Sequence, residues 1–264
     1  MNSTQNNPIG FFDSGIGGTS IWKEVYQLLP NEHTIYLADS ANAPYGEKSV
    51  EEIIELCIKN TELLLNKNCK LIVVACNTAT TNAIKYLRAN YPVPFIGIEP
   101  AIKPASLHTK TKKVGILATK GTLNSSLFST TSHTIDNSVE LIEQVGEGLV
   151  ELIESGKIVS KEMTDLLEKY LSKLLQQNID YLVLGCSHYP YLVPQIKKIV
   201  GNKIFIIDSG QAVAKQTKKI LEINNLLNSK NSIPTTIFYS NTNTSILKSV
   251  LGNNPNLSVK KLDF

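Results

Sequence analysis

Short, wholly apolar runs alternate along the chain with longer stretches in which apolar residues recur every three or four positions. The runs cover residues 8–12, 34–38, 71–75, 94–98, 113–118, 181–185, 203–207 and 236–239. Between them, residues 19–29, 79–90, 161–177 and 211–227 carry helical spacing. In 161–177 the set Met163, Leu166, Leu167, Tyr170, Leu171, Leu174 and Leu175 makes one continuous stripe. Strands that are apolar throughout need cover on both faces, which is the habit of parallel sheets flanked by helices. The pattern predicts an α/β fold with open, mostly parallel sheets.

Two pairs of strand ends look alike. Gly10-Phe11-Phe12-Asp13-Ser14-Gly15 echoes Phe205-Ile206-Ile207-Asp208-Ser209-Gly210, and Val73-Val74-Ala75-Cys76-Asn77-Thr78 echoes Val183-Leu184-Gly185-Cys186-Ser187-His188. Together they predict two similar α/β domains facing each other across a central cleft, related by a pseudo-two-fold. The length, 264 residues, suits one large domain or two small ones at ~150 residues each. Residues 229–232 read as a linker into a final strand at 237–239 and a short helix, which bring the chain back to its first half. The first domain is then discontinuous, residues 1–97 with 209–264, and the second is 98–208.

Composition narrows the class. Hydrophobic residues make up 42% and charged residues 19%, which excludes a disordered, collagen-like or coiled-coil chain. A formal net charge of +3 gives no reason to expect nucleic acid as a partner. No run approaches 18 apolar residues, so no membrane span is expected. Met1 to Asn7 is polar, without the apolar core of a secretory leader. The chain is expected in the cytoplasm, its four cysteines as thiols. No CxxC pair exists and His33, His108, His133 and His188 do not cluster, so no metal site is expected. Cys57 lies among Ile53, Ile54, Ile58, Leu64 and Leu65 at helical spacing and reads as a small core residue; Cys69 reads as a loop or strand-edge residue.

Cys76 and Cys186 differ from those two. Each follows an apolar strand and precedes an expected helix start, and open α/β sheets bind ligands beyond the carboxyl ends of their strands. A helix N-terminus carries about half a positive charge and should lower a thiol below its ordinary ~8.5, toward use as a general base. Asn77 and Thr78 follow the first cysteine, Ser187 and His188 the second, and such groups make a carboxylate cradle. Asp13 has three readings: a partner for a substrate ammonium, a partner for a histidine, or an N-cap for the helix near Thr19. The Gly15-Ile16-Gly17-Gly18 turn and Ala43-Pro44-Tyr45-Gly46 would let backbone approach a ligand. Asp208 and Ser209 read as a helix cap, and His33, His108 and His133 as surface or structural residues. Two thiols facing one stereocentre suit a racemase: one removes the α-proton from one face while the other returns a proton to the opposite face. The carbanion between these steps needs preorganised donors.

Asp13-Ser14-Gly15-Ile16-Gly17-Gly18, Pro44-Tyr45-Gly46, Cys76-Asn77-Thr78-Ala79-Thr80 and Gly185-Cys186-Ser187-His188-Tyr189-Pro190 resemble the glutamate racemases, in the same order, from about Ile9 to Leu227. These are cofactor-independent enzymes that supply D-glutamate for peptidoglycan. The resemblance implies two α/β domains with the site between them, and a homodimer. It implies Cys76 as the base for the D-enantiomer, Cys186 as the base for the L-enantiomer, and Asp13 and His188 as their respective assistants. It implies substrate contacts at Asp13, Ser14, Tyr45, Gly46, Asn77, Thr78, Ser187 and His188, and a further assistant at Glu154. The chain departs from the family at Ser187, where threonine is usual, and in Val145-Gly146-Glu147-Gly148, where a Cys-Pro pair is common. The residues alone leave other readings open. Aspartate or hydantoin racemisation would use the same chemistry. A cysteine-nucleophile hydrolase would pair one thiol with His188, and a two-domain protein could bind a ligand without turnover.

Overall fold

A computed structural model of the chain describes residues 3–228, 233–252 and 254–264; the expected linker at 229–232 lies outside the described residues. The strands are β1 (Ile9–Asp13), β2 (Thr34–Ala38), β3 (Leu71–Val74), β4 (Phe95–Gly97), β5 (Lys113–Ala118), β6 (Glu140–Val145), β7 (Tyr181–Gly185), β8 (Phe205–Ile207), β9 (Thr236–Ser240) and β10 (Leu257–Lys261). Among the helices, α1 (Thr19–Leu28), α2 (Val50–Asn66), α3 (Asn77–Asn90), α4 (Ile102–His108), α5 (Lys120–Leu123), α6 (Ser126–Ser132) and α7 (Leu149–Glu154) come first. They are followed by α8 (Lys161–Leu175), α9 (Val193–Val200), α10 (Gly210–Ile223) and α11 (Ser245–Leu251). No helix among the described residues is long and apolar enough to cross a membrane.

The strands form two sheets, a six-stranded one in the order β10-β9-β2-β1-β3-β4 and a four-stranded one in the order β6-β5-β7-β8. Every pairing is parallel. The fold is the expected pair of open α/β units, and the topology shows how they correspond. The order β2-β1-β3-β4 repeats as β6-β5-β7-β8, so β1 matches β5 and β3 matches β7. Cys76 and Cys186, just past β3 and β7, therefore occupy equivalent strand ends. The other echo was coincidental. Asp13 ends β1 and Asp208 follows β8, whose counterpart is β4. Asp208 instead stands just before α10, whose N-cap position is Ser209, and its Oδ1 accepts the Gly210 N–H at 2.7 Å.

Two strands escaped the hydrophobic pattern, β6 (Glu-Leu-Ile-Glu-Gln-Val) and β10 (Leu-Ser-Val-Lys-Lys). Both are sheet edges, and edges carry charge because water covers part of them. The last strand is thus β10, following α11, and both β9 and β10 extend the first sheet. Side chains of β1, β3 and β7 share one apolar core with α1, α7, α8 and α10, so the core runs continuously from one sheet to the other. Ala75 and Cys76 lie beyond the last paired residue of β3, at the end where the two sheets meet.

Candidate active site

Cys76 is the N-cap of α3, its backbone extended (φ −122°, ψ 124°) and its Sγ accepting the Ala79 N–H at 3.4 Å. The sulfur thus takes a donor that would otherwise be unpaired in the first turn, and α3 begins at Asn77, two residues earlier than the sequence pattern placed it. Cys186 has no such helix. A 3₁₀ turn, Tyr189–Leu192, follows it and α9 begins only at Val193. Pro190 and Pro194 delay the helix, because neither has an N–H to donate back to the carbonyl four residues earlier.

The capped thiol is not acidified. Burial pushes Cys76 well above the ordinary thiol range; the Asp13 carboxylate pushes it further, and the Ala79 N–H only partly offsets them. Desolvation of a buried thiolate outweighs half a helix charge here. The Sγ of Cys76 also lies 3.8 Å from Ser14 Oγ, to which it donates.

Asp13 is fully buried at the end of β1. Its Oδ2 accepts from the N–H groups of Gly15 (3.2 Å) and Gly18 (2.9 Å), and its Oδ1 accepts from Ser187 Oγ at 3.1 Å. The N-cap position of α1 is Gly18, not Asp13, although the carboxylate holds that residue's N–H. Burial raises the Asp13 pKa, and its cationic neighbour His188 offsets part of the rise.

His188 is fully buried, with Nδ1 3.7 Å from Cys186 Sγ and 3.4 Å from Ser187 Oγ. Its Nε2 meets Glu154 Oε1 at 2.6 Å. Burial works against charge on the ring, but the hydrogen bonds to Cys186 and Glu154 and the charge of Asp13 prevail and hold His188 well above the usual histidine range. Glu154, the last residue of α7, also accepts from the Ile16 N–H (2.6 Å, Oε1) and Ser40 Oγ (2.9 Å, Oε2). It therefore ties His188 to two loops of the first sheet. The glycine turn leaves room for this contact. A Cβ on Gly15 would lie 1.9 Å from Glu154 Oε1, and one on Gly17 would lie 2.2 Å from His188 Nδ1.

One tight cavity gathers most of these groups. Cys76, Cys186, Ser14, Tyr45, Gly46, Asn77, Thr78, Ser187 and His188 line it, together with Pro44, Thr119 and Val150. Asp13 and Glu154 stand behind that wall. Tyr45 presents its ring, because its hydroxyl donates to Asp39 Oδ2 at 2.5 Å and accepts from Asn60 Nδ2 at 3.1 Å. Asn77 is the opposite case: both its amide atoms, Oδ1 and Nδ2, are buried without a hydrogen-bond partner. An unsatisfied buried amide costs about 1–3 kcal/mol, and a ligand in the cavity would remove that cost.

Thr119 and Val150 escaped the sequence reading. Thr119 follows β5 as Asp13 ends β1, and its Oγ1 bridges Thr78 Oγ1 (2.8 Å) and Thr122 Oγ1 (3.0 Å) across the two halves. Pairing the first strand of each half would have found it. Val150 belongs to the apolar stripe of α7, and nothing in the sequence separates it from core residues. All four cysteines are free and buried; burial lifts the Cys69 thiol to about 12 and raises Cys57 as well, which suits inert packing residues.

Residues 17–217 match the family model described as Asp/Glu/Hydantoin racemase. A glutamate racemase of Ectopseudomonas mendocina is 46% identical over 228 residues, 86% of this chain and 86% of its own. One from Herpetosiphon aurantiacus is 44% identical over 228 residues, 86% of this chain and 90% of its own. Among solved structures, a glutamate racemase isoform from Bacillus anthracis superposes with a TM-score of 0.87 at 30% identity, covering 98% of each chain. Escherichia coli glutamate racemase, solved with L-glutamate and the activator UDP-MurNAc-ala, gives 0.86 at 32% identity over 97% of this chain and 98% of its own. The chain belongs to the Asp/Glu/Hydantoin racemase family and is an isomerase, an amino-acid racemase.

Proposed function

We propose that the chain interconverts L- and D-glutamate by a two-base reaction, Cys76 acting as base toward the D-enantiomer and Cys186 toward the L-enantiomer. The observation that carries this reading is that both thiols, from equivalent strand ends, line one cavity, each beside its own acid–base group. In the L-to-D direction the Cys186 thiolate takes the α-proton while the Cys76 thiol protonates the other face; the reverse direction swaps the roles. Charge on the α-carbon spreads into the substrate carboxylate, so donors aimed at that carboxylate lower the barrier. Asn77 with its two unpaired amide atoms, Thr78 in the first turn of α3, Ser14 and Ser187 are the groups available. Asp13 serves Cys76, and His188, braced by Glu154, serves Cys186. Tyr45 and Gly46 shape the wall. No cofactor is required in this scheme, since every proton moves between the substrate and the chain's own side chains.

The same proposal takes residues 1–97 with 209–264 and residues 98–208 as the two domains, with the cavity between them. It also takes the protein as a cytoplasmic homodimer supplying D-glutamate for peptidoglycan. The test is exchange in deuterated water. L-Glutamate should lose its circular dichroism while D-glutamate appears carrying deuterium at the α-carbon. L-Aspartate, one methylene shorter, should react about 10–200-fold more slowly. Loss of optical activity without α-deuterium would overturn the two-base scheme, and equal or faster turnover of aspartate would overturn the substrate.

A further inference from the structure

A two-base racemase ends each turnover in the wrong protonation state. After L-to-D conversion the proton sits on Cys186 and Cys76 is the thiolate, which is the form that binds D-glutamate. Before the next L-glutamate can react, one proton must travel from Cys186 back to Cys76. The thiols are almost sealed, at 4% exposure for Cys76 and 6% for Cys186, so bulk water has poor access to this step.

From Cys186 to Asp13 the side chains between them are in hydrogen-bond contact in series. Cys186 Sγ lies 3.7 Å from His188 Nδ1, that nitrogen lies 3.4 Å from Ser187 Oγ, and Ser187 Oγ lies 3.1 Å from Asp13 Oδ1. The Asp13 carboxylate is in turn a charged neighbour of Cys76, close enough to push the pKa of its thiol up. Asp13, Ser187 and His188 are 0%, 2% and 1% exposed. A hydroxyl both donates and accepts, so Ser187 can take a proton on one side as it releases one on the other.

We propose that Asp13, Ser187 and His188 form an internal proton-return relay that resets the two thiols between turnovers, with Ser187 as its central link. This rests on the two-thiol reading above and extends it to the half of the cycle in which no substrate is bound. The steps balance. The Nδ1 proton of the imidazolium passes to Ser187 Oγ, and the Cys186 S–H bond breaks as its proton refills the vacated Nδ1. The serine hydroxyl proton passes to Asp13, and a carboxyl proton forms the Cys76 S–H bond. Each intermediate group keeps its proton count, and only the sulfurs exchange. The opposite direction serves D-to-L turnover. Burial raises the Asp13 pKa, and hydrogen bonds to Cys186 and Glu154 with the charge of Asp13 raise that of His188 against its burial, so both groups favour their protonated forms.

The readout is label perturbation at equilibrium. Radiolabelled racemic glutamate is mixed with excess unlabelled L-glutamate and the label is followed as the excess relaxes. A label driven away from 1:1 means that proton return limits flux. In Ser187→Ala this displacement should begin at a total glutamate concentration at least tenfold lower than in the parent. Ser187→Thr, which keeps the hydroxyl, should return the onset to within twofold of the parent. A mere loss of binding moves the onset to higher concentration, so the direction separates relay from contact. A parent-enzyme measurement covers a variant that fails to fold: an internal relay makes the onset independent of buffer concentration, whereas return through solvent is buffer-catalysed. An onset in Ser187→Ala equal to or above that of the parent overturns the proposal. So does no displacement in Ser187→Ala up to a hundred times KM, or strong buffer catalysis in the parent. Failure of the two-thiol reading would look different, as racemisation surviving in Cys76→Ala or Cys186→Ala.

Discussion

The ends of β3 and β7 are the same place in two copies of one topology, and they carry the same thiol in different company. Cys76 caps a 14-residue helix and has a buried carboxylate as neighbour, and the sum drives its pKa up. Cys186 has only a 3₁₀ turn after it, and its neighbour is an imidazole that Glu154 keeps charged. Repetition of a fold supplies two thiol positions facing one cavity. It does not supply two equal surroundings. The carboxylate behind one sulfur and the imidazolium beside the other break the symmetry, and a substrate with two hands needs opposed groups rather than identical ones.

The largest effect should come from the sulfurs. Cys76→Ala and Cys186→Ala should each lower racemisation by about 10³-fold or more, within the reach of general acid–base catalysis, and the double variant should fall little further because the two act as a unit. Steady-state polarimetry in both directions checks this. A single variant with more than a tenth of the parent rate would break the comparison at its root.

Asp13→Asn should cost about 10²-fold in turnover while leaving Tm at or above the parent value at neutral pH. The sign follows from the raised folded pKa. Stability linked to this group is greatest in acid, where the carboxyl is neutral, and is lost as pH rises from the unfolded value of about 3.9 through the folded one. An amide removes that loss. Calorimetry at neutral pH together with kcat measurement tests the pair of outcomes.

His188, on the other side, shifts stability with pH in the same direction. Its raised folded pKa means that its stabilisation is complete below the unfolded value of about 6.5 and is lost as pH rises through the higher folded value. The Tm difference between the parent and His188→Asn should therefore be largest near pH 6 and shrink on moving alkaline. Glu154→Gln, which keeps the shape and removes the brace, should lower turnover by about tenfold and move the alkaline limb of the pH–rate profile downward. An unmoved limb would detach Glu154 from the imidazole.

The smallest effect belongs to the wall. Asp39 accepts from Tyr45, Asn42 (2.7 Å) and Asn241 (2.5 Å). Asp39→Asn should cost about 1–3 kcal/mol through the donors it leaves unpaired, with KM rising more than kcat falls. Chemical denaturation and initial rates measure both.

Reading the sequence recovered the strands that lie in the core, because burial on both faces leaves an unbroken apolar run. It missed β6 and β10, whose charged residues face water at sheet edges. Both cavity-lining sulfurs were legible as cysteines at apolar strand ends. Their acid–base character was not, since the burial and the neighbours that set it come from residues far along the chain, such as Glu154 beside His188 and Ser187 beside Asp13. Likewise the Asp13 and Asp208 segments read alike but sit on non-equivalent strands, a distinction that only strand order reveals.

The most direct test of opposed sulfurs is α-proton exchange in deuterated water with the single-cysteine variants, each offered pure L- and pure D-glutamate. Cys76→Ala, left with Cys186, should wash deuterium into L-glutamate and not into D-glutamate, without racemising either; Cys186→Ala should do the reverse. Exchange of both enantiomers by one variant, or of neither by both, would contradict the account.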